Sequence, residues 1–257
     1  MFTALTRPVP RSIERCELTH LARTPIDYGR AVAEHDAYER ALEAMGCRIE
    51  RLPPAHDLPD SVFVEDTAVV LDEVAVIARP GAESRRPETA AVAKALRTYR
   101  RLAVIDAPGT LDGGDVLRIG SRLFVGLTPR TNAEGVRQLA LHAAPGLTVT
   151  PVAVTGCLHL KSAVTLAKNQ PPTVLVNPAW VDVDVFSDYA IVEVDAAEPF
   201  AANVLALGEM TLVAAQCPLT AERLARAGIR VRTVPAGELA KAEGGLTCGS
   251  LIIATIG

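Results

Sequence analysis

The sequence predicts an α/β fold: a five-bladed, pseudo-symmetric propeller whose ring is closed by strands from the N- and C-terminal ends of the chain. Three observations carry that prediction. Short Val- and Ile-rich runs bounded by Gly, Pro or Asp alternate with longer Ala/Leu/Glu/Arg stretches along all 257 residues, as strands alternating with helices do. The pattern recurs, with strand-hairpins starting near residues 62, 114, 162, 203 and 250, and a period of about 40–50 residues marks a repeat architecture. The chain also starts midway through a unit and stops after a unit's first strand, so joining its ends completes a fifth unit and leaves no orphan sheet edge. A two-sheet α/β sandwich is the competing arrangement. No linker rich in Pro, Gly or Ser interrupts the sequence, which predicts one domain over residues 1–257.

The first unit contributes a strand at residues 2–6, a long helix at 27–45 and a strand at 48–52. The second opens with hairpin strands at 62–71 and 74–78 around Asp72-Glu73. Its helix runs from Pro87, a favoured first-turn residue, to 100, and a strand follows at 102–106. The third has strands at 115–119 and 123–126 around Gly120-Ser121, a helix at 132–143 and a strand at 148–154. The fourth is less regular: strands at 161–166 and 173–176, a short or irregular segment, then a strand at 190–194. The fifth pairs 204–207 with 211–214 around Gly208-Glu209, before a helix at 220–227 and a strand at 229–234. A last strand-like run at 250–255 has no helix after it.

Composition removes several classes of function. With 49% hydrophobic and 22% charged residues the chain can fill a core, which excludes intrinsic disorder. The net charge of −4 comes without a basic stripe, so nucleic acid is not an expected partner. The opening MFTALTRPVPRSIER lacks the apolar run of a signal peptide, and no stretch reaches about 18 uninterrupted apolar residues. Five cysteines, an odd number without C-x-x-C spacing, argue against a disulfide framework and against a zinc ribbon. A cytoplasmic protein that contacts no membrane is expected; a homodimer is compatible with the sequence.

Reactive residue types cluster just before or inside the first strand of several units: Glu65 and Asp66 in VFVEDTAVV, Asp112 in TLDGGDV, His159 in GCLHLKSAV and Cys248 in GGLTCGSL. In a closed ring these positions face one axis, so carboxylates, an imidazole and a thiol from distant segments would meet in a single pocket. Taken singly each has a plainer reading. Cys248 would be a buried inert thiol, His159 a packing histidine, Asp112 a turn former, and Arg85 and Arg130 solvated surface arginines. Glu65-Asp66 is harder to dismiss, because adjacent acids in a buried strand need a cationic partner. A guanidinium, planar and bidentate, is such a partner. Cys157 and His159 could form half of a metal site, but no second pair at ligand spacing accompanies them, so no metal is expected.

Five segments in order, LPDSVFVEDTAVV, RPGAESRR, TLDGGDVLRIGSRLFVGLTPRTN, GCLHLKSAV and EGGLTCGSL, together resemble the dimethylarginine dimethylaminohydrolase family of guanidine-modifying enzymes. The resemblance spans nearly the whole chain. It implies the pentein fold, a five-bladed α/β propeller, and hydrolysis of Nω-methylated L-arginine to L-citrulline and a methylamine. No metal or organic cofactor is implied, with zinc at most an inhibitor. Position by position, the resemblance implies Cys248 as nucleophile, His159 as general acid/base and Asp112 as the carboxylate that orients the histidine. Asp60, Glu65 and Asp66 correspond to an acidic set along the substrate channel, and Arg85 and Arg130 to residues that bind the substrate carboxylate. Leu18 and Ala242 correspond to positions whose carbonyls receive the α-amino group. Two departures stand out: Glu243, counted with the substrate-binding positions, replaces the Asp of vertebrate members, and Gly249 replaces the second cysteine of their Cys-Cys pair. The alternatives are an arginine deiminase-like hydrolase acting on unmethylated arginine and a catalytically silent binder of arginine-like cations.

Overall fold

Residues 2–254 are described by a computed structural model, in which fifteen strands form five three-stranded sheets. The first sheet holds β1 (Phe2–Thr6) and β2 (Cys47–Arg51), joined by α1 (Tyr28–Ala44), and is completed by β15 (Leu251–Ala254) from the other end of the chain. The second holds β3 (Ala68–Val70), β4 (Val74–Ile77) and β5 (Arg101–Val104), with α2 (Thr89–Leu96) before β5. The third holds β6 (Val116–Ile119), β7 (Arg122–Leu127) and β8 (Thr148–Ala153), with α3 (Ala133–His142) before β8. In the fourth, a helical turn α4 (Leu160–Ala163) leads into β9 (Val164–Asn169), followed by β10 (Pro172–Val176) and β11 (Ala190–Glu193). The fifth holds β12 (Leu205–Leu207), β13 (Met210–Ala214) and β14 (Arg230–Val234), with α5 (Pro218–Arg226) before β14 and α6 (Gly237–Ala240) after it.

Every sheet has one plan. The central strand pairs antiparallel with one neighbour and parallel with the other. A tight hairpin suffices for the antiparallel step, whereas the parallel step needs a crossover. The hairpin turns carry glycine where the backbone is left-handed: Gly120 has φ +58° and Gly208 φ +60°. The crossover helices start at their own capping groups, Asp27 accepting from the Arg30 N–H and Asn132 from the Gly135 N–H. In the fourth unit the crossover shrinks to a short turn, Val183–Phe186, which matches the irregular segment expected there.

Burial ties each sheet to the next. Val69 and Val76 pack with Val116 and Val125, Leu117 and Phe124 with Val164 and Val174, and Leu175 with Val204 and Val213. Leu207 and Leu212 pack with Ala4 and Leu42, and Leu5 and Ile253 with Ala75 and Ile77. Thus the fifth sheet packs on the first as the first packs on the second. Each fully buried Val or Leu contributes roughly 1.5–3 kcal/mol, so the interfaces between sheets hold the fold as much as the ladders within them.

Three expected strands are corrected. The run 62–71 is extended only at Ala68–Val70, since Val64–Thr67 forms a helical turn closed by Thr67 Oγ1 donating to the Val64 carbonyl at 2.6 Å. Asp115 belongs to the turn Gly113–Asp115, and Lys161 to α4. The helix expected over 87–100 spans only Thr89–Leu96, preceded by a turn over Glu83–Glu88. The last strand ends at Ala254; Thr255 lies outside the described residues.

Candidate active site

These corrected turns build the site. Before β3, β6, β9 and β15 the chain makes a short helical or hydrogen-bonded turn, and on these turns stand Glu65 and Asp66, Asp112 at the edge of Gly113–Asp115, His159 at the start of α4, and Cys248 in the turn 246–249. The equivalent segment of the fifth unit, Pro199–Ala202, is followed by Asn203. Asp66, His159 and Cys248 line one narrow cavity with Glu17, Asp60, Phe63, Arg85, Arg130, Leu158, Ala242, Glu243 and Gly244. Its free volume is about 10 Å³, room for about one water.

His159 is 3% exposed and gripped by acids. Its Nε2 lies 3.1 Å from Asp112 Oδ2 and its Nδ1 3.7 Å from Asp66 Oδ1. Burial alone would lower its pKa, but Asp66, Asp115 and Asp112 outweigh burial and raise it to about 9. At neutral pH the ring is therefore an imidazolium. Asp112 is itself fixed by the Gly81 N–H at 2.9 Å. Asp66 accepts from the Gly114 N–H and from Arg85, and the cations His159 and Arg85 hold it below the usual carboxylate range against the cost of burial. Asp115, the second carboxylate around the Gly113-Gly114 pair, is fully buried and raised by that burial to about 6. It holds the floor together by accepting from the Leu160 N–H and the hydroxyls of Thr128 and Thr131.

Cys248 is 8% exposed, and its Sγ accepts from the Gly245 N–H at 3.3 Å. Burial, then the charges of Glu65 and Asp66, push its pKa far up, so it rests as a thiol. The glycines before it serve packing rather than looseness. A Cβ on Gly244 would stand 2.3 Å from the Phe63 ring, and one on Gly245 2.3 Å from Asn203. At Gly249 a Cβ would lie 3.0 Å from the Tyr38 ring, so Tyr38 takes the room beside the nucleophile position.

Two residues expected to bind substrate, Glu65 and Arg85, hold other partners. Glu65 turns away from the cavity, with Oε1 2.6 Å from Lys161 Nζ and Oε2 accepting from Thr247 Oγ1 at 2.5 Å. With these partners it lines a second pocket of about 240 Å³, walled by residues from β3, β6, β9, β12 and β15, among them Val70, Leu117, Leu166, Ala206 and Ile252. Arg85, far from a surface arginine, is 3% exposed. It donates to Asp66, to both oxygens of Glu88, and to the carbonyls of Asp60 and Phe63. Nearly all its N–H groups are committed. Arg130 is 7% exposed and less engaged, with Nη2 3.3 Å from Thr19 Oγ1 and Nη1 3.9 Å from Asp112.

Asp60, 5% exposed, accepts the Glu17 N–H with both oxygens. Ala242 is on the cavity wall, while Leu18 packs against the apolar cluster of Ile13, Val62 and Phe63. Lys161 and Asn203 were missed by sequence reasoning. Asn203 Oδ1 accepts the Thr247 N–H and Asn203 Nδ2 donates to the Lys161 carbonyl, so both residues brace the turn that carries Cys248. Asp66, Asp112 and His159 bring potential metal-ligand atoms within 4.8 Å of one another. Their oxygens are already shared among His159, Arg85 and backbone N–H groups, and the set serves as an ion-pair network.

A thiol, an imidazole and carboxylates brought onto one cavity wall are the side-chain inventory of a cysteine-dependent hydrolase. A cysteine-to-serine variant of the Pseudomonas aeruginosa dimethylarginine dimethylaminohydrolase, complexed with citrulline, superposes with a TM-score of 0.91 at 36% identity, covering 98% of this chain and 100% of that one. An S-methyl-L-thiocitrulline adduct of a histidine-to-glycine variant of a dimethylarginine dimethylaminohydrolase matches equally well. The N-terminal domain of a cyanobacterial arginine dihydrolase shares the fold at 18% identity and a TM-score of 0.86, covering 99% of each chain. In sequence, the chain is 45% identical to the Streptomyces coelicolor N(G),N(G)-dimethylarginine dimethylaminohydrolase, covering 95% of this chain and 94% of the relative. It is 37% identical to the Pseudomonas aeruginosa one, at 95% and 96%. No family model matches. The chain belongs to the dimethylarginine dimethylaminohydrolase family.

Proposed function

We propose that this protein hydrolyses Nω-methylated L-arginine to L-citrulline and methylamine or dimethylamine, with Cys248 as nucleophile, His159 as acid and base, and Asp112 as the group that orients His159. The observation that carries the reading is a buried thiol and a buried imidazole held between Asp112 and Asp66 on the wall of one cavity, in a chain of this family. The thiol gives up its proton to solvent and becomes a thiolate only when a guanidinium settles beside Asp66, because the ligand's positive charge offsets the burial and the acids that raise the thiol's pKa. Sulfur then attacks the guanidinium carbon. His159 gives its proton to the departing nitrogen, the C–N bond breaks, and a Cys-linked S-alkylthiouronium remains. Neutral His159 next takes a proton from water, the oxygen adds to the same carbon, and the C–S bond breaks to release citrulline.

Arg130 is the principal receptor of the substrate carboxylate, with Arg85 adding at most its one uncommitted N–H. The carbonyls of Leu18 and Ala242 receive the α-amino group, and Asp60 and Glu65 act through charge. The reading takes the five sheets as one closed ring forming a single catalytic domain. It is supported by the pairing of β1 with β15 and by the cluster that joins the fifth sheet to the first. The free state of all five cysteines among the described residues suits a cytoplasmic enzyme. No described helix is long and apolar enough to cross a membrane. Incubation with asymmetric dimethylarginine, monomethylarginine and arginine, followed by citrulline measurement, tests the proposal. Citrulline from the methylated compounds supports it, citrulline from arginine alone favours the deiminase reading, and binding without citrulline from any of them refutes catalysis.

A further inference from the structure

We propose that Glu243 recognises the α-amino-acid head of the substrate by dividing the work between its two carboxylate oxygens. Oε1 pins the loop 19–21 across the cavity, and Oε2 receives one N–H of the substrate's α-ammonium group, whose other N–H groups go to the carbonyls of Leu18 and Ala242. This deepens the function proposed above and rests on it. Glu243 Oε1 accepts three consecutive backbone N–H groups, from Thr19, His20 and Leu21, at 3.0, 2.5 and 2.6 Å. Its backbone has φ +59°, the only left-handed non-glycine residue among those described. That conformation is uncommon outside Gly, Asn and Asp and persists where surrounding contacts over-determine it; here the three N–H bonds are those contacts. Oε2, by contrast, is buried and has no hydrogen-bond partner. A buried carboxylate oxygen without a donor carries an uncompensated desolvation cost, which an ammonium group relieves.

The surroundings fit the charge pattern of an α-amino acid. Glu243 lines the catalytic cavity and follows Ala242, while Arg130 lines the same cavity and touches the pinned loop at Thr19. The ammonium would meet Glu243 and the carboxylate Arg130. The cavity holds about 10 Å³, too little for an arginine-sized molecule, and in this proposal the loop that Glu243 pins supplies the opening. Loop closure and head-group recognition are thereby coupled through one side chain.

Glu243→Gln separates the two roles, because the amide oxygen still accepts N–H bonds while the amide nitrogen repels an ammonium. Glu243→Ala removes both. Steady-state kinetics are measured for the native protein and both variants with asymmetric dimethylarginine and with its des-amino analogue, 5-(dimethylguanidino)pentanoate; amide hydrogen exchange is followed at Thr19, His20 and Leu21. The native protein should favour the amino acid by kcat/KM. In Glu243→Gln that preference should fall at least tenfold, mainly through KM, with exchange protection largely kept. In Glu243→Ala preference and protection should both be lost. Undiminished preference in Glu243→Gln, or unchanged exchange in Glu243→Ala, overturns the inference. Failure of the native protein to turn over dimethylarginine would instead overturn the proposed function.

Discussion

Lys161→Met should be among the most damaging single substitutions outside the reacting groups, for a reason unrelated to its size. Lys161 Nζ and Glu65 Oε1 are 2.6 Å apart, with side chains 15% and 9% exposed. Replacing the lysine leaves a buried carboxylate held only by Thr247 Oγ1 and flanked by Asp66. Breaking one side of a buried pair typically costs about 3–5 kcal/mol; the partial exposure of Lys161 and the surviving hydroxyl bond argue for the lower end, about 3 kcal/mol. Glu65 should answer by taking up a proton, since burial, its leading influence, already pushes its pKa up and the opposing lysine is gone. A carboxyl whose folded pKa is raised binds more protons folded than unfolded, so its penalty is absent below about pH 4 and grows as pH rises through the folded pKa. The variant should therefore lose more stability at pH 8 than at pH 5. Urea titrations of Lys161→Met, Glu65→Gln and the double variant at both pH values read this directly. The double variant should be more stable than Lys161→Met alone. A loss below about 1 kcal/mol at pH 8, or a double variant no better than the single one, would refute the electrostatic argument.

Cys248→Ser should abolish turnover while leaving the urea midpoint nearly unchanged; substantial citrulline formation by that variant would sink the covalent route. His159, with a folded pKa of about 9, should contribute stability that is complete below about pH 6.5 and lost as pH rises through about 9. Turnover should fall over the alkaline part of that range as the acid is lost, and a native-minus-His159→Asn stability difference flat from pH 6 to 10 would contradict this. Arg130→Ala should raise KM for dimethylarginine roughly tenfold to a hundredfold with little loss of stability, on a charged hydrogen bond's worth of about 1.5–3 kcal/mol. Arg85→Ala should instead lower stability by about 3–5 kcal/mol because Asp66 and Glu88 lose their shared cation; equal urea midpoints for the two arginine variants would rule out this division. Exhaustive chelation should leave turnover intact, and a loss restored by added zinc would show that the metal-free mechanism is wrong.

The repeat was legible because hairpin turns such as Gly120-Ser121 and Gly208-Glu209 punctuate strand pairs at even spacing. The turns that hold the site were not. VFVEDTAVV reads as a strand because its apolar residues alternate with nothing that signals a turn, yet the Thr67 hydroxyl closes a helical turn on Val64 and swings Glu65 and Asp66 to opposite pockets. The same local event at Leu160–Ala163 hid Lys161. Asn203 carries no chemical signature of its own. Its position in the unit, equivalent to those bearing Asp66, Asp112, His159 and Cys248, was the one signal that could have found it. Arg85 and Arg130 looked like loop residues because burial of a guanidinium depends on distant acids, here Asp66, Glu88 and Asp112, that spacing along the chain does not reveal.

The pairing of β1 with β15 has a consequence for synthesis. β1 emerges long before its antiparallel partner β15, with Phe2 opposite Ala254. At about 5–20 residues per second, roughly 250 residues of translation leave that strand edge unpaired for on the order of ten seconds or more. Cys248, just upstream of β15, emerges together with it. Nascent chains thus carry His159 and both arginines well before the thiol arrives, and the aggregation-prone edge is covered in the step that arms the cavity.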